Sequence, residues 1–342
     1  MTPMLGFRNS FSQFKNVRSE LIIDSERIEP PYISICIPTY RRPDLLIEAV
    51  LSAVNQHANV PHEIVIVDNE QDVFWSSQVD TLVRGLNSPR VRLFRNSENL
   101  GMFGNWNRCL ELSEGKWVSI LNDDDLLAPN FLSTVLELIN QHPETKLIQT
   151  GFRSFSQGSE SALKGLLLKE SLNQTNRFSF VQLSLGNPRA GCLATVYDRE
   201  AAIEIGGFNP EHFPTADVTF NMRFLRTHRS AYETKKPCAL YRIQDNESQK
   251  PNVLAGFIKN DFFMRLEAAR GFRIPFLMKL YARVILSSQL NYLEHTWRAE
   301  IDQKLLPTEI WRYVFRSKSA WFASKILTKF LYTIIRIIEE KR

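Results

Sequence analysis

The sequence has no uninterrupted run of about eighteen apolar residues, so no segment is a candidate to cross a membrane as a helix. The stretch from Met1 to Glu29 lacks a continuous apolar core. No secretory signal is read there, and the protein is expected to be cytoplasmic, on the side of the membrane where it is made. Cysteine is scarce. Cys36, Cys109, Cys192 and Cys238 lie far apart with no C-x-x-C pair, which excludes a disulfide scaffold and the spacing of a zinc site. All four are expected to be reduced, buried thiols. The six histidines show no ligand spacing either. His212 lies close in sequence to a candidate carboxylate, but core or surface positions are expected for all of them. A dominant charge is also missing: 42 basic and 37 acidic residues leave a net charge of +5. Without a clustered basic stripe, no nucleic-acid partner is expected. The mild excess suits anionic substrates or an acidic membrane surface.

What is present is a chain of 342 residues, 44% hydrophobic and 23% charged, long enough for one large α/β domain with an appendage. After Pro30-Pro31, Tyr32 to Pro38 reads as a strand. Pro43 opens a helix with Leu45, Leu46, Ala49, Val50 and Ala53 on one face. Glu63 to Val67, Val91 to Phe94 and Trp117 to Leu121 read as further strands. Asn105 to Leu112 and the segment carrying Phe131, Leu132, Val135, Leu138 and Ile139 read as helices. Strands alternating with helices predict βαβ units and a mostly parallel, Rossmann-type sheet. Ligands bind outside the carboxyl ends of such strands. Pro38-Thr39-Tyr40, Asp68 and Asp123 to Asp125 each follow a strand, so one topology would gather them into one crevice. Farther on, Ser156 to Asn176 reads as loops around an apolar Leu163 to Leu168. Cys192 to Tyr197 suits a strand, Gly206-Gly207 ends a short helix, and Val218 to Arg226 is helical with Asp217 at its start. Residues 251–342 are helical in pattern.

Three adjacent aspartates after an apolar strand repel one another and are costly to bury unpaired. A divalent cation would offset that, and carboxylates suit Mg²⁺ or Mn²⁺. A solvated acidic turn capping the next helix is the alternative. The blocks SICIPTYRRPDLL, EIVIVDN and NLGMFGNWNRCLELSEGKWVSILNDDDLLAP, in this order and spacing, resemble the family 2 glycosyltransferases of GT-A fold, over about residues 32–250. The resemblance implies a nucleotide-sugar donor, with a UDP-sugar favoured. The nucleoside would be held by Pro38, Thr39, Tyr40 and Asp68, with Asn107 in the family's next block. It implies Mn²⁺ or Mg²⁺ on Asp124, with Asp123 beside it on the metal, on a metal-bound water or on ribose. It also implies an inverting transfer in which Asp217, following Gly206-Gly207-Phe208 and opening a helix, takes the acceptor's proton. An N-terminal helix position would tend to keep that carboxylate ionised. The chain departs from the family at Trp106, where an arginine is usual, at Ala216, and at Gln244 within the block Tyr241 to Asn246, where histidine is common. The expected acceptor is a glycan or polyprenyl-linked hydroxyl in surface polysaccharide or O-antigen assembly.

The expected division is a loosely structured leader over 1–30, a transferase domain over 31–250 and a helical C-terminal region over 251–342. Within the domain, 31–132 is the nucleotide-binding half and 133–250 the acceptor half. The final segment from Ala320 carries an aromatic and isoleucine-rich face interrupted by Lys325, Lys329 and Arg336. It reads either as a helix packed on the domain or as one lying on anionic lipid. Two rival functions stand beside this reading. A sugar nucleotidyltransferase would carry a glycine-rich phosphate loop where this chain has IPTYRRPD. A non-catalytic scaffold would have lost Asp217 or the aspartate run, and both are present.

Overall fold

The structure, a computed structural model, describes residues 3–24, 29–156, 175–186, 191–244, 250–296, 301, 303–311 and 318–340. Most of Ser156 to Asn176, including Leu163 to Leu168, lies outside these residues, as do Asp245, Asn246 and the side chain of His295. The strands are β1 (Ser19–Ile23), β2 (Ile33–Thr39), β3 (His62–Asp68), β4 (Val91–Asn96), β5 (Trp117–Ile120), β6 (Leu126–Leu127), β7 (Leu147–Phe155), β8 (Thr175–Arg177), β9 (Thr195–Asp198) and β10 (Ala231–Arg242). The helices are α1 (Pro43–Val54), α2 (Val73–Gly85), α3 (Gly101–Leu112), α4 (Phe131–Gln141), α5 (Phe180–Ser184), α6 (Arg199–Glu204), α7 (Ala216–Thr227), α8 (Pro251–Ala268), α9 (Pro275–Thr296), α10 (Thr308–Trp311) and α11 (Lys318–Glu340).

All ten strands join one sheet in the order β1-β4-β3-β2-β5-β9-β7-β10-β6, with β8 also on β10. The run β4-β3-β2-β5 is parallel, as expected. Beyond it β9 runs antiparallel to both β5 and β7, and β10 is parallel to β7. Alternation along the buried strands feeds two cores. Ile33, Ile35 and Ile37 of β2 pack with Leu46, Ala49 and Val50 of α1 and with α2 and α4. Cys36 and the alternate β3 residues Val65 and Val67 face α3, α7 and the C-terminal helices. Helices on both faces make a doubly wound α/β sheet with a helical C-terminal extension. No helix among the described residues is long and apolar enough to cross a membrane.

Two features depart from the sequence reading, and a third concerns Trp106, where the chain departs from the family. The leader is not loose. β1 pairs antiparallel with β4, the Glu267 carboxylate accepts from the amides of Met4 and Leu5 at 2.7 and 3.1 Å, and Arg108 donates to the carbonyls of Phe14 and Val17. Trp106 is a core aromatic, edge-on to Phe103 and Phe208 at 5.1 and 5.3 Å. Asn107, expected to meet nucleotide, is buried and used elsewhere: its Nδ2 donates to the Phe208 carbonyl and its Oδ1 accepts from the Phe208 amide, both at 2.7 Å. This clamp fixes the turn at Gly206 and Gly207, whose φ values of 88° and 70° favour glycine. Replacing Asn107 with alanine strands both Phe208 backbone groups. We expect a loss of about 2–4 kcal/mol in urea denaturation, with nucleotide affinity of the folded fraction unchanged.

Candidate active site at the carboxyl ends of the sheet

β3 lies on one side of β2 and β5 on the other, so the chain reverses its direction of strand addition beside β2. Such a switch opens a crevice at the carboxyl ends. There the Thr39 hydroxyl donates to Asp123 Oδ2 at 2.8 Å, the Tyr40 amide also donates to Asp123, and the Asn69 amide donates to the Thr39 carbonyl at 3.0 Å. The three strand ends picked out in the sequence are therefore brought together. Pro38 and Thr39 are buried and shape the floor, whereas Tyr40 is 40% exposed at the surface. Arg41 lies over the Tyr40 ring at 5.1 Å and is paired with Glu70.

The aspartates divide by their partners. Asp125 is buried with both oxygens engaged, Oδ2 by Asn122 Nδ2 at 3.0 Å and Oδ1 by the Arg242 amide at 3.0 Å. Burial first, and then the Asp124 charge, push its carboxyl up to about 7. Asp123 is pushed up to about 6, chiefly by burial, against the pull of Thr39. Asp124 is the more open of the pair Asp123 and Asp124, and its Oδ2 accepts from Arg42 at 3.1 Å and from Gln244 at 3.4 Å. Arg42 reaches Asp123 Oδ1 as well, at 3.6 Å. A half-exposed guanidinium thus spans two carboxylates. Hard oxygen donors with that surplus charge fit one Mg²⁺ or Mn²⁺ through Asp123 and Asp124. Among the described residues no group of three or more His, Cys, Asp or Glu is arranged as a complete cage. The remaining ligands would be water and donor oxygens, as is common for Mg²⁺.

Asp68 departs from its expected role. It is fully buried, Oδ2 accepting from Arg95 Nε at 3.1 Å and Oδ1 from the Glu70 amide at 3.1 Å. Burial pushes its carboxyl up to about 6 despite Arg95, which is also held by Asp80. Both Asp68 oxygens are thus engaged by the scaffold beneath the crevice. Arg242 is likewise anchored, donating to the Asp124 carbonyl and to Glu48 while lying over Phe155.

Asp217 opens α7 and is half-buried; its Oδ1 accepts from the Val218 amide at 2.8 Å. Burial outweighs the helix terminus and pushes the carboxyl up to about 6. A Cβ placed on Gly191 would come 3.2 Å from Asp217 Oδ2, so the two residues are neighbours. Gly191 precedes β9, whose first residues pair antiparallel with the last of β5. Asp217 therefore stands at the same edge of the sheet as the acidic run. His212 is buried and takes no part. Its Nε2 faces Asn209 Nδ2 and its Nδ1 faces the Thr219 hydroxyl, both at 3.0 Å, and burial lowers it to about 4. Since the Asn209 amide and the Thr219 hydroxyl fix the tautomer, the ring is neutral.

The sequence reading missed Arg42. Its signal was two consecutive arginines after the first strand, one strand away from an acidic run. If Arg42 stands where a cation would, Arg42→Gln should make Mn²⁺ matter more. The Mn²⁺-induced rise in Tm is expected to exceed that of wild type by roughly 2 °C, equivalent to about 1 kcal/mol. Equal shifts in differential scanning fluorimetry would refute the competition.

A sequence model of Glycosyl transferase family 2 matches residues 34–206. The chain is 26% identical over 218 residues to a putative teichuronic acid biosynthesis glycosyltransferase of Bacillus subtilis, covering 63% of this chain and 81% of that one. Its fold is similar to that of Staphylococcus aureus TarS 1-349 in complex with UDP (TM-score 0.55, 14% identity, 90% of each chain covered). It is also similar to the mannosyltransferase PcManGT of Pyrobaculum calidifontis in complex with GDP-Man and Mn²⁺ (TM-score 0.53, 15% identity, 94% and 91% covered). At those identities the two structures establish the GT-A fold, and the family match, which spans half the chain and contains the Thr39–Asp123 strand ends, establishes descent. The protein belongs to glycosyl transferase family 2 and is a glycosyltransferase.

Proposed function

We propose that the protein transfers a sugar from a nucleoside diphosphate sugar, a UDP-sugar first, to a hydroxyl of a glycan or polyprenyl-linked acceptor in surface polysaccharide assembly. The observation that carries this reading is the placement of a half-buried carboxylate, Asp217, on the same sheet edge as the Asp123–Asp124 pair. The teichuronic acid name of the Bacillus subtilis relative supports the polysaccharide setting. The complexes of the two structural neighbours support a nucleotide-sugar donor.

Tyr40 is the exposed member of the first block and would stack or hydrogen-bond with the nucleoside. Asp123 and Asp124 would hold a divalent cation that, when bound, neutralises charge on the leaving diphosphate. Arg42, released from that pair, sits within reach of the same phosphates. Asp217 accepts the acceptor hydroxyl's proton as its oxygen bonds to the anomeric carbon. The bond from that carbon to the diphosphate breaks on the opposite face, giving an inverted glycoside and a nucleoside diphosphate. A carboxyl near 6 is ionised at neutral pH yet basic enough to serve.

Calorimetry of UDP, GDP and dTDP, with Mn²⁺ and then with EDTA, tests the donor half. One nucleotide should bind only with metal, and Asp124→Ala should weaken it more than about tenfold. Folded wild-type protein that binds none of the three refutes the reading. For the base, the sign follows from its function. Transfer needs ionised Asp217, so kcat/KM is full above about 6 and falls about tenfold per pH unit below it. Asp217→Asn should keep nucleotide binding and lose about 10²–10⁴-fold in turnover. Near-normal turnover removes Asp217 from the reaction.

A further inference from the structure

A large concavity lies toward the opposite ends of the strands. A cavity of about 890 Å³ opens between β8, α5, the first residues of β10, the end of α7 and α11. Glu233 lines it opposite Gln149 of β7, six residues before Phe155, the partner of Arg242, so about 20 Å separates the two along a strand rising ~3.3 Å per residue. The cavity is therefore separate from the transfer site. Five of its lining side chains are cationic, Arg177, Arg226, Arg229, Lys235 and Arg336, against the carboxylates Glu233 and Glu339. Glu339 is buried and accepts from the Arg273 amide at 2.6 Å. Arg226 is tied to the Leu5 carbonyl. Arg177, Arg229, Lys235 and Arg336 are exposed along the opening. A concave wall with that surplus focuses positive potential and suits a phosphate ester.

α11 gives the cavity its setting. Leu331 and Ile335, each 3% exposed, pack the helix onto the core that also holds α7 and α9. At about 100° per residue, Tyr332, Arg336 and Glu339, which line the cavity, occupy one sector of the helix. Lys325 and Lys329 extend that flank. The next sector carries Phe322, Ile326, Phe330 and Ile337, 63%, 56%, 60% and 53% exposed. Around the helix the order is cavity, basic column, apolar stripe. An interfacial helix has the last two, apolar side chains for the acyl boundary and cations at headgroup level. Leu331 and Ile335 give the terminal segment its packed face, and the basic and apolar sectors lie on other faces of the same helix.

We propose that α11 and the basic cavity form a docking surface for an anionic membrane, with a lipid phosphate headgroup held in the cavity by Arg177, Arg229 and Arg336. Phe322, Ile326 and Phe330 enter the acyl boundary beside it. Complementary charge and the adjacent apolar stripe select a lipid surface over a soluble anion. The test uses the full chain without nucleotide or acceptor, so its outcome is independent of the transfer reaction. Flotation with phosphatidylcholine vesicles is compared with flotation on vesicles that also contain phosphatidylglycerol. The protein should float with the anionic vesicles and lose binding as salt rises. Arg177→Gln and Arg229→Gln should each weaken binding about fivefold, and Phe322→Ser with Phe330→Ser should abolish it. Circular dichroism and calorimetric UDP binding should match wild type in all of them. Equal flotation on neutral and anionic vesicles, or cavity variants that bind like wild type, overturns the proposal. Glycerol phosphate bound by the protein while anionic vesicles are not would assign the cavity to a soluble phosphate ester and overturn the membrane docking.

Discussion

Three carboxylates in consecutive positions at the end of a buried strand are a concentration of like charge that water cannot fully relieve, and the arrangement of the surrounding elements follows from the need to hold them. Asp123 takes a hydroxyl and an amide from the end of β2, Asp125 takes an amide from the end of β10, and Asp124 is left facing Arg42 and Gln244. Three separate segments are thereby pinned to one turn. The register of β2 against β5, and the return of β10 to the same edge, are what bring those donors within reach.

The division of labour among polar residues follows from burial. Residues that look ready for a ligand in the sequence are largely occupied by the scaffold: Asp68 by Arg95, Asn107 by Phe208, Arg242 by Glu48 and the Asp124 carbonyl. Among the described residues around the crevice, Tyr40, Arg41, Arg42, Asp124, Gln244 and the half-buried Asp217 remain accessible. A buried polar group without a partner is costly, so most interior positions are satisfied internally and, buried Asp123 aside, the candidate groups stand at the rim.

The parallel half of the sheet was legible because its strands are unbroken β-branched runs and each ends in a turn residue, as in EIVIVDN. Of the other half, only β9 was, within Cys192 to Tyr197. β7 and β10 mix polar and apolar residues, and β10 carries Lys235, Lys236 and Pro237 in its middle, where its register against β7 shifts. No period-2 pattern survives that irregularity. α2 was missed because only Ser76, Val79 and Val83 are buried along thirteen residues. Asp217 could be placed at a helix start from its neighbours, but its contact with Gly191 depends on packing between segments far apart in sequence. The same holds for Asn107, whose partner lies 101 residues away. Motif order identified the crevice; only tertiary contacts showed which motif residues open onto it.

The incorporation of the N-terminal segment into the sheet bears on how the protein behaves in a crowded solution. Without β1, the outer side of β4 would present six residues of unpaired backbone, a template on which another chain could extend. β1 covers it with only five residues and a register shift between Leu21 and Ile23, so the new border is short and kinked. At the far border stands β6, two residues long. A ten-stranded sheet thus ends on both sides in borders too brief and irregular to recruit a neighbour, which favours a dispersed protein over a fibrous one.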